Sequence, residues 1–198
     1  MWAVDNRTPY AAERNWYLDK NAVKSWVVAV KGTFDILPDG SLRVADNQED
    51  PLYAPEYEGE PGKSSLKYEA DLAGPKNNTD IVLIAHAFAP DRDPVRNMAV
   101  EMAVGDIRKQ AVVSGDRRWE KGIAGLSMTE PEPFLQMPLV PERAFGGYDK
   151  RPEDPSEHRY YASNPIGTGF AVRDAHLDGA LLPNVEYPNQ RISAWKDR

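Results

Sequence analysis

A mainly antiparallel β-protein, a sandwich or open barrel with long Pro/Gly-rich loops, is the fold class this sequence predicts. Three observations predict it. Apolar residues alternate in short runs, those runs are bounded by Gly, Pro, Asn and Asp, and no segment sustains a 3.6-residue period. The composition agrees. With 14 Gly and 17 Pro among 198 residues, the chain must turn often and build short elements. A hydrophobic content of 41%, with five Trp, nine Tyr and five Phe, supports one sizeable core, so residues 1–198 are expected to form a single β-rich domain.

The first 25 residues place Tyr10, Trp16 and Tyr17 in a polar context and read as an extended lead-in whose aromatics cover the core. Trp26 to Phe34 is the clearest strand, rich in β-branched and aromatic residues. Trp26, Val28, Val30 and Phe34 share its expected inner face, with Lys31 and Thr33 toward solvent. Pro38-Asp39-Gly40 between Ile36-Leu37 and Ser41–Val44 is a hairpin signal. Prolines 51, 55 and 61 make the acidic stretch 46–61 a surface loop. Ser64–Asp71 alternates as a short strand, and Asp80–Phe88 is a nearly continuous apolar run, expected as a central strand covered on both faces. Its His86 reads as a core or edge histidine, because His158 and His176 give no ligand spacing.

Met98–Val104 and Ile107–Val113 flank Gly105-Asp106 and predict an antiparallel hairpin with Met98, Val100, Met102 and Val104 inward. Ser114–Trp119 combines a turn, two cations and an indole, read either as an edge with an Arg stacked on Trp119 or as a protein-contact hot spot. Met137–Gly147 is a rigid corner: Pro138 and Pro141 fix the backbone, and Gly146-Gly147 ends the run after Phe145. Residues 148–163 form a long charged loop, order returns at 164–170 and 181–188, and the chain closes on an apolar and charged segment, 192–198.

Several chemistries are absent or weak. There is no Cys, so disulfides, thiol catalysis and thiolate metal sites are excluded. No apolar run reaches the ~18 residues of a membrane span. The N-terminal residues lack the pattern of a signal peptide, and the cytoplasm is the expected location. A net charge of −7 opposes binding to nucleic acid or anionic membranes and suits a basic partner. Gly167-Thr168-Gly169 lacks the rest of any phosphate loop, no nucleophile elbow is present, and nothing demands a metal or cofactor. Glu142 and Glu186 lie beside rigid turns, which leaves a carbohydrate-active hydrolase with paired carboxylates as a rival reading, and a purely structural module as another.

Seven stretches, taken in order, carry a resemblance. They are Val30–Phe34, Gly59–Ser65, Glu69–Asp71 with Pro75-Lys76 and Thr79-Asp80, Gly115–Trp119, Glu142–Gly147, Asn164–Phe170 and Leu182–Glu186. Together they resemble the bacterial family called domain of unknown function 2169, whose members occur in type VI secretion gene clusters. The resemblance implies a non-enzymatic adaptor or chaperone that binds an effector toxin by its N-terminal or spike-proximal region. It would load that cargo onto spike-tip proteins. Family members usually continue past the Leu-Pro-Asn-x-Glu stretch, so it also implies a shortened member or part of a longer protein. No catalytic residue carries over. The expected protein-binding patch is Arg117, Arg118, Trp119, Arg143 and Phe145, or else a free sheet edge that accepts a partner strand.

Overall fold

The fold was obtained as a computed structural model, and it describes residues 3–74, 76, 78–123 and 125–194. Trp195 to Arg198, and with them most of the expected terminal segment, lie outside the described residues, as does Pro75 of the third motif. Among the described residues the regular structure is almost entirely β, with helix confined to single 3-10 turns. The mainly antiparallel β class therefore holds. The strands form small sheets of two or three, and no barrel closes among the described residues. The chain divides into two compact units, Met1–Pro61 with Leu66–Ile81, and Gly62–Ser65 with Val82–Arg198.

The described residues of unit 1 form three ribbons. The first pairs β1 (Ala11–Leu18) with β2 (Lys24–Lys31) through eight residues each, in a register that sets Trp16 opposite Trp26. The turn between them is held by Asp19, whose carboxylate accepts from the N–H groups of Asn21 and Val23. The second pairs β3 (Phe34–Ile36) with β4 (Leu42–Val44) around the Pro38-Asp39-Gly40 turn. Gly40 has φ +82°, and the Asp39 carboxylate caps the turn by accepting from Ser41 N–H and Oγ–H. The third joins β5 (Glu56–Tyr57) to β6 (Leu66–Tyr68) with an irregular register, a strand shorter than the 64–71 alternation suggests.

Unit 2 holds the packed cores. The short β7 (His86–Phe88) pairs with β12 (Gln136–Pro138), so that Ala87 and Met137 face each other, both buried. The hairpin of β8 (Asn97–Val104) and β9 (Ile107–Ser114) turns at Gly105, φ +56°. Met98, Val100 and Met102 face inward as expected, while Val104 at the open tip is exposed. β10 (Trp119–Gly122) and β11 (Gly125–Met128) form another ribbon. β13 (Phe145–Gly146) runs parallel to β16 (Thr168–Gly169). β14 (Tyr148–Asp149) pairs with β15 (Arg159–Tyr160) and closes the stretch expected as a long loop. Finally β17 (Val185–Glu186) adds to β9, giving a three-stranded sheet in the order β17-β9-β8.

One cluster of buried side chains joins Trp119, Ala171, Leu177, Leu182 and Ile192, and a second joins Ala87, Val113, Phe134 and Met137. Each large apolar side chain so buried contributes about 1.5–3 kcal/mol. Both clusters belong to unit 2.

Two expectations are corrected here. Ile81 to Ile84 form no strand and are exposed: the ladder with β12 ends at His86, and the last backbone bond there runs from Leu139 N–H to Ala85 O. An apolar run marks a buried strand only when neighbours lie on both sides. The Trp26, Val28 and Val30 face of β2 is likewise exposed, whereas Lys31 on the opposite face is half-buried. Polar partners decide that orientation: Lys31 pairs with Asp71 at 3.3 Å and donates to Asp50 O, and Tyr53 Oη donates to Glu13.

Candidate protein-binding site

The corner that begins at Pro141 organises unit 2. Pro141 supplies a fixed φ at the first position of a single 3-10 turn, Pro141–Arg143, where a missing N–H costs nothing. That turn sends Glu142 and Arg143 to different partners. Both Glu142 oxygens are occupied by Ser65, whose N–H donates at 2.7 Å and whose hydroxyl donates at 2.9 Å. Arg143 Nη1 donates to Asp116 Oδ1 and Asn184 Oδ1, each at 2.9 Å. Asn184 then donates through Nδ2 to Asp116 Oδ1 and to Ser114 O. Its main chain closes the ring: its N–H donates to Arg143 O, and its carbonyl accepts from Ser114 N–H.

A second set of bonds ties in Asn164–Phe170. Asn164 Nδ2 donates to the carbonyls of Pro141 and Phe145, and Thr168 Oγ1 donates to the Glu142 carbonyl. The backbones approach so closely that a Cβ on Gly146, which has φ +153°, would sit 2.1 Å from Asn164 O. At Gly115 the clash would be with Glu132 O at 1.7 Å. Contact requires glycine at both positions, and at Gly146 the positive φ requires it as well. Four of the seven sequence stretches singled out above, together with Ser65 of a fifth, thus hold one another in a single polar knot.

Extended backbone at 117–119 sends alternate residues to opposite sides. Arg117 is 5% exposed and pairs with the buried Glu186, which also accepts from Ile192 N–H. Trp119 is 1% exposed and sits in the first core cluster. Arg118 points outward, donating to Gly179 O at 3.1 Å. Phe145 is half-buried, edge-on to Tyr161 at 5.0 Å between ring centroids. Arg143 keeps about a third of its side chain exposed next to the similarly exposed Asp116.

The expectation of one exposed patch is therefore corrected. Arg117 and Trp119 face the interior because the chain alternates there, and no Arg stacks on Trp119 among the described residues. Arg118, Arg143 and Phe145 keep partial exposure. Two buried donors, Arg117 Nε and Trp119 Nε1, lack an acceptor among the described residues. The carboxylates considered for hydrolysis are both held, Glu142 by Ser65 and Glu186 by Arg117 and Ile192.

Nearby, the Asp149 carboxylate is fully buried and accepts from Val172 N–H, Arg151 N–H and His176 Nδ1 at 2.9, 3.2 and 2.8 Å. Burial alone would raise its pKa, but the bonds from Val172, His176 and Arg151 outweigh that and hold it below the usual value. Among the described residues, no group of three His, Cys, Asp or Glu converges as a metal site.

The surface that sequence reasoning missed lies in unit 1, on β1–β2. By register, Ala12, Arg14, Trp16 and Leu18 share one face with Val30, Val28, Trp26 and Lys24. Trp16, Leu18, Trp26, Val28 and Val30 are all exposed, Val28 to 56%. The Lys24 ammonium sits 4.2 Å from the Trp16 ring centroid and 5.3 Å from that of Trp26. The β3–β4 ribbon shows the same habit, with Ile36 and Leu42 paired and exposed. The available signal was the charge on the other face: Glu13 and Lys31 stand in neighbouring rows at one end of it, and each has a partner, Tyr53 and Asp71.

A family model described as "Uncharacterized protein conserved in bacteria (DUF2169)" matches residues 21–198. No curated protein matches, and no solved structure matches.

Proposed function

We propose that this chain, which belongs to the bacterial family DUF2169, is a non-enzymatic adaptor that binds an effector toxin in the cytoplasm and helps load it onto the spike of a type VI secretion system. The observation that carries the protein-binding part is the exposed apolar face of β1–β2, in a unit whose described residues include no cluster of buried side chains. Contiguous apolar surface on a folded chain marks a place where another molecule sits. Two strands alone are marginal in water, so a ribbon that displays Trp and Val gains stability when it is covered. The secretion context comes from the family resemblance alone.

The test is an affinity pull-down of the tagged chain from its native cytoplasm, read by mass spectrometry. Recovery of one secreted toxin or spike-tip protein in stoichiometric amount is the expected result. Recovery of no secreted or spike protein would overturn the reading.

A further inference from the structure

We infer that the open edge of β9 takes an extended segment of a partner protein as an added strand, with an acidic residue of that segment facing Lys109. The edge belongs to unit 2 and goes beyond the adaptor reading, which assigns the effector to β1–β2; its occupant is a second partner. Ser114 donates its N–H to Asn184 O, so β9 aims the backbone groups of Ser114 away from β8 and toward the chain entering β17. In an antiparallel ladder that direction recurs at every second residue, which aims the N–H and C=O of Val112, Gln110 and Arg108 the same way. Val112 meets Glu186 of β17, but the same register would bring Pro188 opposite Gln110. Proline has no N–H to give, and the chain turns off there, with Gln190 N–H donating to Tyr187 O. The outward backbone groups of Gln110 and Arg108 are left without a partner among the described residues. A groove of about 610 Å³ lies between them and the turn at 187–190.

The side chains set the chemistry of the occupant. Arg108 and Lys109 line the groove, and no acidic residue lines it. Arg108 Nη1 and Gln110 Nε2 both donate to the Glu101 carboxylate, at 3.0 and 2.6 Å, on one face of the hairpin. Lys109 lies on the other face by alternation, and its ammonium has no acidic partner among the described residues. An added strand running in the direction of β17 exchanges both backbone bonds with Gln110 and again with Arg108. Its residue between those two stands opposite Lys109 and on the same face, where a carboxylate is attracted and a cation repelled. Two positions further on it meets Ile107, exposed beside Val104, which an apolar side chain covers. On the opposite face Glu101 disfavours a second acid. The fitting segment thus carries an acid, then an apolar residue two positions later, with uncharged side chains on either side of the acid. A second copy of this chain is the poorer fit, because bonding the outward groups of Arg108 and Gln110 on both copies sets Lys109 opposite Lys109.

The test uses the full chain and fluorescently labelled, end-capped octapeptides: Thr-Ser-Thr-Glu-Thr-Val-Thr-Ser, the version with Lys for Glu, and two backbone N-methylated forms of the Glu peptide. One form is methylated at the Thr on each side of Glu, whose N–H groups face β9; the other is methylated at Glu and Val, whose N–H groups face away. Fluorescence anisotropy at low ionic strength should show roughly tenfold tighter binding of the Glu peptide than of the Lys peptide, weakening with salt. The first methylated form should lose binding and the second should keep it. Lys109→Glu should reverse the preference between Glu and Lys. Gln110→Pro removes an N–H aimed at the groove and none aimed at β8, so it should abolish binding while circular dichroism matches the parent. Absence of binding by the Glu peptide, equal binding of the Glu and Lys peptides, equal loss from both methylation patterns, or a preference unchanged by Lys109→Glu would overturn the inference. So would a parent chain that sediments as a dimer and is released by Gln110→Pro. Should Gln110→Pro fail to fold, the two methylated peptides decide. The adaptor reading stands or falls separately, on the pull-down.

Discussion

At the scale of single residues, Asn184 is the most connected polar group in the knot. It uses both ends of its amide, with Arg143 on one side and Asp116 and Ser114 on the other, and it is buried. Removing it leaves the Ser114 carbonyl and part of Arg143 without a partner, so Asn184→Ala should cost about 1–3 kcal/mol in urea unfolding. A loss under a few tenths would mean that the ring of bonds is incidental. Trp119→Ala belongs to the same scale. Its indole fills the first core, so the variant should lose about 3–5 kcal/mol of stability and should not behave as a folded binding mutant. Asp149 supplies the pH dependence. Its folded pKa lies below the unfolded value, so its stabilisation is present above about pH 3.9 and is lost as pH falls through the depressed folded value. Asp149→Asn should therefore be less stable at neutral pH, with a smaller further loss between about pH 4 and pH 2. Urea midpoints across that range check it, and parallel acid limbs for the two proteins would refute it.

Among the elements, the hairpins at Pro38-Asp39-Gly40 and Gly105-Asp106 were legible because turn chemistry and flanking alternation agree locally. The Pro141 corner was legible as a rigid feature for the same reason, although its partners were not: Glu142 meets Ser65 across 77 positions of sequence, and no local pattern encodes that meeting. Alternation in β2 said which residues share a face and could not say which face meets the protein. The apolar run at 81–84 misled for a related reason, since hydrophobicity records what a segment can bury and not whether a neighbour arrives. At 117–119 the composition suggested an interface, and one-residue alternation placed two of the three side chains inside. The β1–β2 ribbon then becomes the element to mutate. Trp16→Ala removes an exposed ring, so the fold should persist and effector binding should weaken by about 2 kcal/mol, roughly thirtyfold. Unchanged binding by titration calorimetry would remove Trp16 from the interface.

Across the whole molecule, apolar burial is uneven, and that unevenness makes a prediction about dynamics. The described core clusters both fall in unit 2, where Val113 and Ser114 of β9 are fully buried and β9 is flanked by β8 and β17. In unit 1 each strand of the longest ribbon has one neighbour among the described residues, and the ribbon leaves Trp16 and Trp26 exposed. Local opening costs anything from nearly nothing up to the full unfolding free energy, about 5–15 kcal/mol, according to how much apolar contact each element makes. Amide hydrogen exchange should therefore find the Val113 end of β9 among the slowest segments, near the global limit, and β1–β2 among the fastest of the long strands. Binding of the effector should slow β1–β2 and leave that end of β9 unchanged, because only the ribbon gains cover. Equal protection of the two hairpins in the free chain would mean that β1–β2 is already held by the rest of the protein, and its exposed face would lose its claim to need a partner. If the free-chain difference is found but complex formation slows β9 instead, the partner docks on unit 2, and the exposed Arg118 and half-buried Phe145 are the residues to mutate next.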